Sequence, residues 1–155
     1  MRIGLQALIF GHIVTGLTAV ILGALAMLSP KGPGRHPRRG RRYLIALCMV
    51  VTTGTVIAAT NWSRLWHLAA LGLVAVALAA GGYTVRRSRP PGWLQLHALG
   101  MSGSYVATLT AFYVDNGPRL PLWNQLPPIS FWLLPTAVAA PLVLRALRRR
   151  GEQTA

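Results

Sequence analysis

Apolar positions in this chain gather into five blocks, and polar positions are confined almost entirely to the connectors between them. The blocks cover about residues 4–28, 43–60, 64–85, 93–114 and 128–147. Within a block the apolar run is nearly continuous, which is the pattern of a membrane span rather than of a half-buried helix or strand in a soluble core. At about 1.5 Å per residue each block covers the roughly 30 Å of a hydrocarbon core, the second only just unless it starts earlier, near Pro37. The pattern predicts an all-α fold: a polytopic transmembrane helix bundle of five spans, a four-helix core plus one C-terminal helix. It forms a single integral membrane domain over residues 1–155.

The connectors set the orientation. "SPKGPGRHPRRGRR" holds six basic residues, "VRRSRPPGW" three and the tail "RALRRRGEQTA" four, whereas the other side has only Arg2, Arg64 and Arg119. Basic residues stay on the cytoplasmic side, so thirteen against three predicts an N-out/C-in chain. "ALA" at 24–26 has the form of a signal-peptide cleavage site. Only Arg2 precedes that block and a dense basic cluster follows it, so the block is expected to remain as a span. In the outer connector "DNGPRLPLWNQLPP", Asn116-Gly117-Pro118 and the later prolines predict turns. Trp62, Trp66, Trp123 and Trp132 suit an interfacial aromatic belt, and Pro135 and Pro141 predict a bend in the fifth span.

Composition sharpens this picture at one point. Sixteen basic residues face two acidic ones, a net charge of +14. Such a balance often signals nucleic acid. Here the charges sit at the ends of apolar blocks, so the expected partners are the lipid bilayer and anionic lipid headgroups at the basic loops, with no nucleic acid. Fifteen of the sixteen are arginine, as in a GC-rich bacterial genome, and the expected location is a bacterial cytoplasmic (inner) membrane.

Several chemistries lack their residues. Cys48 is the single cysteine, which rules out an internal disulfide and a cysteine-based metal site. There is no Walker loop, dinucleotide-binding glycine fingerprint or HExxH. Asp115 is the one acidic residue near the outer end of a span, placed to pair with Arg119 or to face water. Neither buried carboxylates for ion coupling nor paired carboxylates for hydrolysis are present. Ser102 and Ser104 lie near His97 without an acid partner, and hydroxyls in membrane helices mostly bond back to their own backbone.

The candidate chemistry lies in four histidines. His12, His67 and His97 fall inside spans, and His36 precedes Pro37. Each of the first three heads a helical stripe of mostly small residues: His12 with Gly16, Ala19, Gly23 and Ala26; His67 with Ala70, Val74, Ala77 and Gly81; His97 with Gly100, Ser104, Ala107 and Ala111. Two readings follow. In one, the small residues permit close helix packing and each histidine hydrogen-bonds a neighbour. In the other, the imidazoles are iron ligands. His12 lies 16 residues from Leu28 and His67 lies 17 from Thr84, so both sit about 24–26 Å from the cytoplasmic boundary. His97 is about five residues into its span from that side, at the level of His36. Two layers result, His12 with His67 and His36 with His97. Facing helices of a bundle can hold haem b between such pairs, with His12 and His67 the stronger pair for the iron. The arginines near His36, and Arg86, Arg87 and Arg89, would then pair the propionates. His36 has its own alternative: with Pro37 at a first helical position it flanks the helix and meets lipid headgroups.

The order "GHIVTGLTAVILGAL", "HPRRGRRY", "WHLAALG", "HALGMSGSYVATLTAFYV" resembles a family of small bacterial predicted membrane proteins of unknown function. Its members are four-helix units with one histidine motif per helix, and the likeness covers roughly residues 5–114. Pro37 departs from the arginine that follows the second histidine in that pattern. The family implies membrane location and supplies no activity. More distantly, the chain is similar to transmembrane di-haem cytochromes b, which implies the same two histidine layers; no ascorbate or quinone motif accompanies them. The functions to weigh are a bis-histidine haem-b electron-transfer module, a non-catalytic accessory or interaction protein that uses its small-residue seams to bind a membrane protein partner or to form a homo-oligomer, and a small-molecule transporter.

Overall fold

The computed structural model describes residues 2–151, with the side chains of 2 and 149–151 outside the described part. Arg149 and Arg150, counted above in the basic tail, and residues 152–155 therefore lie outside it. Five long helices follow one another: α1 (Arg2–Leu28), α2 (Arg35–Ala59), α3 (Trp62–Ser88), α4 (Trp93–Asn116) and α5 (Ile129–Gly151). Two short 3-10 turns, Gly117–Arg119 and Trp123–Gln125, fill the connector between α4 and α5 where turns were expected. α5 is continuous through Pro135 and Pro141.

The second block takes the longer of its two expected forms, starting near Pro37 rather than at Tyr43. α2 begins at Arg35, eight residues before Tyr43, so the basic run is its first two turns rather than a loop. Pro37 is tolerated there because the first turn of a helix has no use for its missing N–H. Gly34, at φ 103°, makes the entry bend that a side chain would oppose.

Four helical segments are long and apolar enough to cross a membrane: Ile3–Leu28, Arg35–Ala59, Trp62–Ser88 and Ile129–Arg148. α4 does not join that set, which narrows the five-span expectation. Its 24 residues suffice in length, but Gln95, His97 and a run of hydroxyl residues make it more polar. Phe10, Ile13 and Leu17 of α1 are 60–70% exposed, and Leu133, Val138 and Leu142 of α5 are similarly open. In water such faces would cost about 25 cal/mol per Å² of apolar area, so they are suited to lipid.

The chain divides into two compact units, one up to Val76 and one from Ala77 on. In the first, α2 supplies the bulk and its neighbours supply the space. Tyr43 and Leu47 are almost fully buried, as are Ala19, Gly23 and Ala26 of α1. A Cβ on Gly16 would stand 3.3 Å from Val50 Cγ2, and one on Gly72 of α3 would stand 3.2 Å from both methyls of Val51. In the second unit α3 and α4 cross at backbone distance. A Cβ on Gly100 would come within 2.8 Å of the Leu78 carbonyl oxygen and 2.9 Å of Gly82 Cα. Ser104, Ala107 and Thr110 continue the buried face of α4. α5 locks on through Phe131, whose ring fills the place of any side chain at Gly117.

Candidate functional site

Three of the four histidines are seated in the same way. His12 Nδ1 lies 3.1 Å from the Val50 carbonyl oxygen and 3.1 Å from Thr53 Oγ1, both on α2. His36 Nδ1 is 2.8 Å from the Ala26 carbonyl oxygen of α1. His97 Nδ1 is 2.8 Å from the Gly82 carbonyl oxygen of α3. A carbonyl only accepts, so in each case Nδ1 carries the hydrogen and donates. In the neutral ring this leaves the lone pair on Nε2. All three rings are half-buried.

Glycines make room for two of these bonds. A Cβ on Gly54 would meet His12 Cε1 at 2.9 Å, so the imidazole lies against the bare backbone of α2. Thr53 donates its own hydroxyl hydrogen back to the Met49 carbonyl at 2.8 Å, which turns its oxygen toward His12 as an acceptor. The His97 bond sits at the Gly82–Gly100 crossing, where the backbones come close enough for a side chain to span them.

His36 belongs to a different construction. The last carbonyls of α1 lack intrahelical donors and form the negative end of its dipole. Residues beyond the helix supply the donors. Ala26 accepts from His36 Nδ1 and, at 3.3 Å, from Lys31 Nζ; Lys31 also donates to Met27. Arg39 Nη1 donates to the Leu25 carbonyl at 3.2 Å and to Ser29 Oγ at 2.8 Å, while Ser29 donates to Leu25. His36 is thus a helical residue that ties α2 to the end of α1, where a flanking, lipid-facing position was the favoured alternative.

His67 stands edge-on to Trp66, with ring centroids 6.0 Å apart. Its stripe is where the sequence expectation and the structure part. The stripes headed by His12 and His97 are packed faces. On α3 the buried positions are Ala69, Ala75, Ala79 and Gly82, while Val74, Ala77 and Gly81 are exposed. A Cβ on Gly81 would meet nothing within 4 Å.

His12 and His67 share the first unit; His36 and His97 belong to different units. An axial haem histidine needs its Nε2 lone pair on the iron and a hydrogen bond that holds Nδ1–H. His12, His36 and His97 meet the Nδ1 half of that requirement. Among the described residues no three or more His, Cys, Asp or Glu side chains gather as a metal site; a bis-histidine haem uses two. Nor does any described buried side-chain nitrogen or oxygen lack a hydrogen-bond partner.

The remaining candidates resolve simply. Ser102 donates to its own helix at the Ala98 carbonyl, 2.7 Å away. Asp115 is exposed, and Arg119 Nη1 donates to its backbone carbonyl at 3.1 Å. Sequence reasoning missed Thr53, Gly54 and Gly82 as partners of the histidines and Arg39 as a cap. A single glycine inside the β-branched run "VVTTGTVIAA" was the available signal for the first of these, since an interior glycine costs a helix stability unless packing uses it. No family model, no curated protein and no solved structure matches the chain.

Proposed function

We propose that this chain is a five-span protein of a bacterial cytoplasmic membrane, N-terminus out and C-terminus in, that serves as a non-catalytic accessory or interaction module. The apolar helix faces and the sidedness of the basic residues support the membrane setting. α4 counts as the remaining span because its length suffices and its hydroxyls are bonded to its own backbone, as Thr108 and Thr110 are to Ser104 and Val106.

The observation that carries the interaction role is the open stripe of α3. Two of the three histidine-headed seams are used up in packing within the chain; the third is left exposed at Val74, Ala77 and Gly81. Small residues on an outward face let another span approach closely. The test is Ala77→Leu/Gly81→Leu, examined by cross-linking in native membranes and by size in detergent. The wild type is expected to run as a dimer or in a larger complex, and the variant as a folded monomer. An unchanged assembly in the variant removes this role.

A second reading is favoured by the Nδ1 arrangement of His12, which orients Nε2 as its ligand nitrogen; His67 enters as its partner on depth along the helices alone. On it, His12 and His67 are the axial pair of a haem b, which when bound supplies one-electron transfer. A reduced-minus-oxidised spectrum of protein purified from haem-replete cells decides it. This reading expects a sharp alpha band that disappears in His67→Ala with membrane insertion intact. Equal haem in wild type and variant, or none in either, eliminates the pair. No specific observation favours a transporter.

A further inference from the structure

The basic start of α2 is divided between two tasks. Arg39 and His36 turn toward α1 and cap its carbonyls. Arg35, Arg38 and Arg42 are exposed on the other side. Spacings of three and four put them on one stripe, and the same stripe continues through Ile45, Met49 and Val56, each 51–56% exposed. One face of one helix is therefore cationic for about two turns and, apart from Thr52, apolar for about the next three.

The dimensions have a meaning. Arg35 to Arg42 rises about 10 Å, the scale of a headgroup region, and Ile45 to Val56 rises about 16 Å, about half of a 30 Å hydrocarbon core. Carboxylates that could neutralise these guanidiniums are scarce along the chain. Asp115 and Glu152 are the chain's only carboxylate side chains, against sixteen basic residues. A cationic stripe made for nucleic acid would have no reason to run on into isoleucine, methionine and valine.

From this charge and shape, and resting on the membrane reading above, we infer that the outward stripe of α2 is a docking site for an anionic phospholipid. Arg35, Arg38 and Arg42 hold the phosphate, and Ile45, Met49 and Val56 hold one acyl chain. Arginine suits the first role because its planar fork gives paired hydrogen bonds to phosphate oxygens. The site is built from one helix, which the caps on α1 hold in place.

The experiment uses the full chain purified in neutral detergent, loaded with equal phosphatidylglycerol and phosphatidylcholine, washed, and analysed for retained lipid by mass spectrometry. The wild type is expected to retain phosphatidylglycerol on the order of tenfold over phosphatidylcholine. Arg35→Gln/Arg38→Gln/Arg42→Gln is expected to lose most of that preference. Arg86→Gln/Arg87→Gln/Arg89→Gln, which removes equal charge elsewhere, is expected to keep it. Arg38→Gln alone, a milder change at the middle of the cluster, is expected to reduce it severalfold. Absence of preference in the wild type, or equal loss in both triple variants, overturns the inference. Displacement of the lipid by soluble glycerol phosphate also overturns it, since the apolar half would then contribute nothing. Carbonate extraction of cell membranes, run beside this, tells the two proposals apart: a chain that stays in the membrane without lipid preference loses only the docking site, and a chain that is stripped off loses both.

Discussion

At the scale of single residues, the sequence displayed the histidines but not what they touch. Periodicity gives a residue a face and a depth; it does not name the neighbouring helix. His12, His36 and His97 all proved to be donors to backbone carbonyls; at His97 a glycine crossing brings the backbones together, and at His12 a glycine leaves room for the ring. The glycines are accordingly unequal, and their costs can be ordered. A methyl at Gly100 meets backbone atoms at 2.8 and 2.9 Å, which cannot rotate away. At Gly82 the nearest atoms are 3.2–3.3 Å away, and at Gly81 there are none within 4 Å. Gly100→Ala is therefore expected to destabilise by about 1–3 kcal/mol, as overpacked core sites do. Gly82→Ala should cost less. Gly81→Ala should be neutral or stabilising by up to about 1 kcal/mol, because alanine is the better helix former. Unfolding in mixed micelles measures the series, and a Gly81→Ala loss as large as that of Gly100→Ala would contradict the crossing described here.

At the scale of elements, five blocks became five helices, because a long apolar run with no alternation has no other way to satisfy its backbone in lipid. Faces were harder. On α1 the small residues lie on one side and bulky ones on the other, so the His12 stripe could only be the packed face. On α3, "LAALGLVAVALAAGG" offers alanine or glycine in nearly every direction. Two stripes one residue apart are then equally small, and the one without the histidine is buried. Which stripe is packed depends on the shapes of α2 and α4, and α3's own sequence does not contain them. The start of α2 had two expected positions, Tyr43 and near Pro37, and the structure takes the earlier one. Arginine is a good helix former and proline is harmless in a first turn, so the polar run could continue the helix outward past the apolar block. The open α3 face makes Ala77→Leu/Gly81→Leu a test of association rather than of folding: leucine there adds bulk where the chain itself has nothing to displace.

At the scale of the whole molecule, hydropathy and helix length admit four crossings or five, and parity turns the difference into a sharp experiment. If α4 stays on one side, the chain crosses four times and both termini share a side. If α4 crosses, the termini lie on opposite sides. Charge separates these outcomes. With four crossings the basic run that begins at Arg145 would share the side of Arg2 and oppose the basic start of α2, against the tendency of arginine to remain in the cytoplasm. With five crossings all three dense clusters fall inside. A reporter active only outside the cell is expected to be silent when fused at the C-terminus and active when inserted in the 3-10 connector at Leu122, which is 80% exposed. The same activity at both sites, on or off, would mean that α5 does not cross. An active C-terminal fusion with a silent connector would mean either that the whole chain is inverted, in which case an N-terminal fusion is silent, or, where an N-terminal fusion is active, that α4 lies on the inner side with its hydroxyls in water. The histidine on α4 would then belong to a surface helix, and the close Gly82–Gly100 contact would lie at the membrane edge rather than within it.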